Sequence, residues 1–100
     1  MKISILGARG MIGSGLTRYL RNNGYTVNEL TRAQFSLDAS DNLIEIYDKL
    51  SKNPHYLEAD WLVNCLGIVK QFSNRYSEQH IEFVNGIFPQ YLSEITNAHN

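Results

Sequence analysis

Apolar positions change period several times along the chain. Ile3, Ile5 and Leu6 form a run that stops at Gly7, too short for a helix and bounded by glycine, which predicts a buried parallel strand. From Met11 to Asn23, Ile12, Leu16, Tyr19 and Leu20 recur at helical spacing, and Gly24 stands where a left-handed C-terminal cap is wanted. Tyr25 to Leu30 returns to an extended pattern, and Phe35 to Leu37 predicts a second short extended piece. The polar cluster Asp38-Ala39-Ser40-Asp41 then reads as a helix start, with Leu43, Ile44, Tyr47 and Leu50 on one face and Asn53-Pro54 as the break. Trp61 to Leu66 is the clearest buried-strand pattern, ended by Gly67. Ile81, Val84, Phe88, Leu92 and Ile95 mark a last helical stripe, which Pro89 should kink or restart. Strands alternating with helices build an open α/β sheet of parallel strands, in which ligands bind beyond the carboxyl ends of the strands where strand order reverses.

Gly7-Ala8-Arg9-Gly10-Met11-Ile12-Gly13 therefore occupies an informative place, between the first strand and the first helix. Gly7 supplies a tight turn, Gly10 lets the backbone approach a pyrophosphate, and Gly13 lets the helix pack close to the sheet. The free N–H groups of the helix end face the anion. A merely tight strand-to-helix loop would favour glycine too. The spacing is G-x-x-G-x-x-G, and no Gly-Lys-Ser/Thr follows to make a nucleotide triphosphate loop.

About twenty residues past the glycines, an acidic side chain would grip the ribose hydroxyls of NAD. Thr31 stands there, followed by Arg32. With Arg9 in the glycine loop, two guanidinium groups could converge on a ribose 2′-phosphate, which favours NADP over NAD. Glu29 is the alternative ribose ligand if the register shifts. Asp38 could accept from an adenine amino group, and it or Ser40 could cap the following helix. Asn64-Cys65-Leu66-Gly67 ends the strong strand, where small or apolar residues would lie against a cofactor ribose. Lys70, Tyr76, His80 and Asn85 follow and could serve a site or form only a polar face. His55, His80 and His99 lack metal-ligand spacing, so no metal site is expected.

Composition narrows the function classes. With 43% apolar and 19% charged residues over 100 positions the balance is that of one globular domain without low-complexity stretches. A formal charge of -1 with scattered basic residues gives no field for a nucleic-acid backbone. The opening segment is too short and too abruptly ended for a signal peptide or membrane span, and the single cysteine, Cys65, has no disulfide partner in the chain. A cytoplasmic protein that binds neither nucleic acid nor membrane is expected.

The glycine loop, Thr31-Arg32, Leu37-Asp38, Val63-Asn64-Cys65-Leu66-Gly67 and Val84-Asn85-Gly86 together resemble the short-chain dehydrogenase/reductase superfamily and its extended, sugar-nucleotide branch, with the dTDP-4-dehydrorhamnose reductase type most similar. The resemblance implies a Rossmann-type doubly wound parallel sheet, here an incomplete N-terminal half. Gly7, Arg9, Gly10, Met11 and Ile12 would line the pyrophosphate, Thr31 and Arg32 the adenosine ribose, and Asp38 the adenine. Cys65, Leu66 and Gly67 would line the nicotinamide ribose, and Asn85 would support the site. Such enzymes use a Tyr-x-x-x-Lys pair. The residues four beyond the tyrosines here are Asn23, Glu29, Ser51, Asp60, His80 and Ile95, none of them lysine. The expected reading is the NAD(P)-binding portion, over residues 1–100, of a longer reductase acting on a nucleotide-linked keto sugar, not competent alone and prone to self-association through an exposed sheet edge. An NAD-dependent epimerase or dehydratase fragment, or a binding module that senses NADP without catalysis, are the alternatives.

Overall fold

The computed structural model describes residues 1–38, 40–67 and 77–99. In chain order the elements are β1 (Lys2–Leu6), α1 (Met11–Asn22), β2 (Thr26–Leu30), α2 (Leu43–Ser51), α3 (Pro54–Leu57), β3 (Trp61–Asn64), α4 (Glu78–Glu82), a π-helical turn (Phe83–Ile87) and α5 (Phe88–His99). The strands form a parallel sheet of order β2-β1-β3. This is an α/β architecture, an incomplete Rossmann-like sheet. The chain divides into two compact units, the first comprising residues 1–36 and 48–66, the second residues 37–47 and 67–100.

In the first unit β1 is the central strand, which explains its burial. Ile3, Ile5, Ala8 and Val27 form a core on one face, against which Leu16 and Leu20 of α1 pack together with Val63 and Cys65. On β1 the intervening residues Ser4 and Leu6 are also buried, and the Ser4 hydroxyl donates to the carbonyl of His55 at 2.7 Å, so a polar atom inside the sheet keeps a partner. Lys2 and Asp60 exchange backbone and carboxylate hydrogen bonds at 2.8 Å, which sets the register of β3 on β1. Gly24 adopts φ +86 after α1 and turns the chain into β2.

Several expectations need correction. The buried face of α1 is built on Gly13 and Thr17, with Leu16 and Leu20 half-buried; Ile12 and Tyr19 stand exposed. Phe35 to Leu37 is not a strand: after β2 the amides of Gln34 and Phe35 both donate to the Thr31 carbonyl, so the chain coils back and buries the Phe35 ring. The α2 cap is Asn42, whose Oδ1 accepts from the Glu45 amide at 2.9 Å, whereas Asp38 accepts from the Ser40 amide and hydroxyl in a local turn. Leu43, Ile46 and Leu50 are the inward positions of α2, and Ile44 and Tyr47 face out. Asn53-Pro54 does end α2, and it also starts α3, with Asn53 as cap and the proline in the first turn. Trp61 to Leu66 is shorter and less buried than its composition suggests: β3 stops at Asn64 and lies at one edge of the sheet among the described residues, leaving Trp61 60% exposed.

In the second unit the final helical stripe is interrupted immediately before Pro89. Proline has no N–H to offer the carbonyl four residues back, at Asn85, and the helix widens into a π-helical turn over Phe83–Ile87. Val84, Phe88, Leu92 and Ile95 of the expected stripe are buried, Phe83 joins them within the widened turn, and Ile81 is half-buried. Phe83 and Tyr91 meet edge to face with ring centroids 6.4 Å apart. No described helix is long and apolar enough to cross a membrane.

Candidate functional site

Because β1 lies between β2 and β3, the connection from β1 leaves to one side and the strand after β2 returns on the other, so strand order reverses at the carboxyl end of β1. Gly7 sits there. Its amide donates to the Leu30 carbonyl at 3.1 Å, tying it to the end of β2. On its other side, a Cβ at Gly7 would lie 3.0 Å from the Cys65 carbonyl oxygen and 3.1 Å from Leu66 Cδ2, in the exit from β3. With φ +72, Gly7 adopts a conformation that side chains disfavour and fills a space that admits none. All three strand ends thus meet at this residue.

From Gly7 the chain closes a turn, the Gly10 amide donating to the Gly7 carbonyl at 3.0 Å, and α1 begins at Met11. Gly13 is pressed against the same turn, its missing Cβ only 2.1 Å from the Gly7 oxygen. Gly10 differs. It is exposed, has an ordinary extended backbone (φ -73, ψ 178), and a Cβ there would meet only the Gly7 oxygen, at 3.3 Å. Among the described residues no side chain caps α1 and no acidic residue stands in its first turn. The helix start therefore keeps its positive potential, with Met11 and Ile12 about three-quarters exposed beside it (73% and 70%). A flat, backbone-lined cradle with free N–H groups fits the diphosphate of a dinucleotide.

At the carboxyl end of β2, Thr31 closes its own turn. Its hydroxyl hydrogen-bonds the Gln34 side-chain oxygen and accepts from the Ala33 amide at 3.3 Å, while its amide donates to Gln34 Oε1 at 2.9 Å. Arg32 is held exposed within that turn. Past β3, the Cys65 amide donates to the Leu6 carbonyl at 2.9 Å and the Leu66 amide to Asn64 Oδ1 at 3.0 Å, so these two predicted residues are held beside Gly7. Gly67 and Asn85 belong to the second unit, where the Asn85 Oδ1 lies 3.7 Å from the position of a Gly67 Cβ. Asp38 is exposed in that unit, its carboxylate taken up by Ser40. Lys70 and Tyr76 lie outside the described residues.

Burial pushes the Cys65 thiol up. The neutral thiol is the form the fold prefers, so its contribution to stability is complete below the unfolded-state pKa and is lost as pH rises from that value through the folded one. Alkylation by iodoacetamide near neutral pH is expected to be several-fold slower in the native chain than in urea; equal rates would show Cys65 to be open to solvent.

Sequence reasoning missed a second feature. A cleft of about 410 Å³ opens on the outer side of the glycine loop, between Ala8 and Arg9, the α1 residues Thr17, Arg18 and Arg21, and Glu29 of β2. The Glu29 carboxylate is engaged within the fold, lying 3.1 Å from Arg21 Nη1 and 3.9 Å from Arg9 Nε, and Arg21 also donates to the Val27 carbonyl at 3.1 Å. The strand period was the available signal: Glu29 lies two residues beyond Val27 and so shares the face that α1 covers.

The family model for NAD dependent epimerases and dehydratases matches residues 3–67, the stretch that contains the sheet, the glycine turn and the exit from β3. Searches of curated proteins and of solved structures returned no match. With more than half of its length matched, and on a parallel sheet whose strand ends meet at a glycine turn, the chain belongs to the NAD dependent epimerase/dehydratase family, whose members bind an NAD(P) dinucleotide.

Proposed function

We propose that residues 1–100 are the NADP-binding segment of a reductase that acts on the keto group of a nucleotide-linked sugar. The observation that carries the cofactor assignment is the glycine turn: an uncapped helix start at the switch point of the sheet, with Gly10 open toward solvent while Gly7 and Gly13 are filled from behind by protein. Gly7, Arg9, Gly10, Met11 and Ile12 take the pyrophosphate. Thr31 and Arg32 take the phosphorylated ribose, because the strand end carries a hydroxyl and a guanidinium instead of the carboxylate that NAD favours. Asp38 serves the adenine, Cys65, Leu66 and Gly67 the nicotinamide ribose, and Asn85 supports that end through its proximity to Gly67. The bound cofactor supplies hydride; this chain's part is to hold and orient it. The sugar substrate rests on the likeness to dTDP-4-dehydrorhamnose reductases. An epimerase or dehydratase that retains NAD is the second reading, favoured by the family match itself.

The test is titration of the purified chain with NADPH, NADH and ATP, following melting temperature and nicotinamide fluorescence. Stabilisation selective for NADPH and lost on Arg32→Ala is the expected result. Preference for NADH would turn the assignment to the second reading, and no binding by well-folded protein would sink the cofactor site.

A further inference from the structure

Phe83 and Phe88 stand five residues apart, which on an α-helix sets them about 140° from one another, yet both rings are buried, at 3% and 0% exposure. The π-helical turn brings them into line. Its closing bond runs from the Phe88 amide to the Phe83 carbonyl, five residues back, where an α-helix would use the carbonyl of Val84. The same widening lets Phe83 meet the ring of Tyr91, which an unbroken helix would hold about 80° off its face. Asn85 is carried on this turn. It is exposed, and its Oδ1 lies 3.7 Å from the position of a Cβ on Gly67, within the same unit. An ordinary residue at 89 would donate its amide to the Asn85 carbonyl and draw the backbone back to the α period. Proline has no amide hydrogen, and in a regular turn its ring would collide with that carbonyl.

We propose that Pro89 is a positioning residue for the cofactor, holding the π turn open and thereby keeping the Asn85 amide beside Gly67. The inference rests on the reading above, in which Gly67 lines the nicotinamide ribose and Asn85 supports it. Pro89 acts at one remove, through the backbone of Asn85. With Phe88, Leu92 and Ile95 fixing α5 in its core, closing the turn rotates the residues before it against α5 by up to about 100°, one residue's share of a helical turn. The Asn85 amide then leaves Gly67, and the contact between Phe83 and Tyr91 goes with it. The pyrophosphate and adenosine contacts stay, since the glycine turn, the end of β2 and Asp38 supply them from outside Phe83–Ile87.

Dissociation constants are measured on the hundred-residue chain for NADPH and for adenosine 2′-phosphate 5′-diphosphate, which keeps the pyrophosphate and the phosphorylated ribose and lacks the nicotinamide riboside. Wild type, P89A, N85A and the double variant are compared, with thermal melts of each free protein. P89A is expected to weaken NADPH about fivefold, what one neutral hydrogen bond contributes, and to leave the shorter nucleotide within about twofold. In the N85A background P89A should cost nothing further, a result that a merely structural role would not produce. Alanine is the better helix former, so P89A should melt at or above wild type. Four results overturn the proposal: NADPH bound by P89A as by wild type, an equal loss for the shorter nucleotide, losses that multiply in the double variant, or a P89A chain that melts lower, since the proline would then support the helix instead of opening it. A wild-type chain that binds NADPH no more tightly than the shorter nucleotide, or N85A without effect, sinks the reading of the nicotinamide end and this inference with it. NADPH weakened by N85A but not by P89A sinks this inference alone.

Discussion

Gly13→Ala is expected to destabilise the chain by about 2–3 kcal/mol, the upper range for forcing atoms into a packed interior. The added methyl group would sit 2.1 Å from the Gly7 carbonyl oxygen, 2.9 Å from its carbon and 3.0 Å from the Ala8 Cα. All three are backbone atoms at the turn that closes β1, so no side chain can swing aside. Either α1 retreats from the sheet, opening the seam that Leu16 and Leu20 make with Ile3, Ile5 and Val27, or the Gly7 turn deforms and loses its bond to Leu30. Alanine's better helix propensity offsets about 1 kcal/mol of this and does not reverse it. Gly15, two residues on, has nothing within 4 Å of its Cβ position. There the same substitution is expected to stabilise by roughly 0.5–1 kcal/mol. Paired thermal melts check both: Gly13→Ala should lower the midpoint by roughly 10–20 °C for a domain of this size, and Gly15→Ala should raise it. A Gly13→Ala midpoint at or above wild type would mean that helix and turn do not touch as described.

The contrast between those glycines bears on what could be read before the structure. Spacing alone assigned Gly7 to the turn and Gly13 to close helix packing, and both assignments describe contacts that exist, because a strand running into a helix leaves few ways to place three glycines. The first two strands and α1 were legible for a similar reason: the apolar period switches sharply between them, and Gly24 marks the switch. The failures lie where a short segment carries too few residues to establish a period. Phe35 has the composition of a strand residue, yet the Thr31 carbonyl captures two successive amides and turns it inward. Asn42 is the cap because it directly precedes α2, where its Oδ1 reaches the Glu45 amide, whereas Asp38 and Ser40 are bonded to each other in a turn before it. Ile44 and Ile12 show that an apolar residue on a helix does not declare its own face when a neighbour, Ile46 or Gly13, sits closer to the packing partner. The cleft was illegible because it depends on the pairing of Glu29 with Arg21, residues on different elements whose meeting follows only from the packing of α1 on β2.

Gly10→Ala is expected to do the reverse of Gly13→Ala, sparing the fold and removing the ligand. Gly10 needs no special backbone freedom, since φ -73 with ψ 178 is open to any residue, and the only atom near its Cβ position is the Gly7 oxygen at 3.3 Å. As the residue before α1 it loses little on becoming alanine, about 1 kcal/mol or less. Among the described residues that single contact is what a methyl group would meet, and a shift of a few tenths of an ångström relieves it. A methyl group would project from the exposed side of the turn, into the space a diphosphate must occupy to reach the first amides of α1. Pushing the anion back by about an ångström weakens charge-assisted hydrogen bonds worth roughly 1.5–3 kcal/mol each. The expected loss in NADPH affinity is therefore about 10- to 100-fold, with a melting temperature of the free protein within a few degrees of wild type. Fluorescence titration and thermal melts on the same sample read both quantities. Undiminished affinity in a folded Gly10→Ala chain would mean that the pyrophosphate does not cross this turn, and would leave Gly7 and Gly13 as packing glycines with no ligand to explain the third.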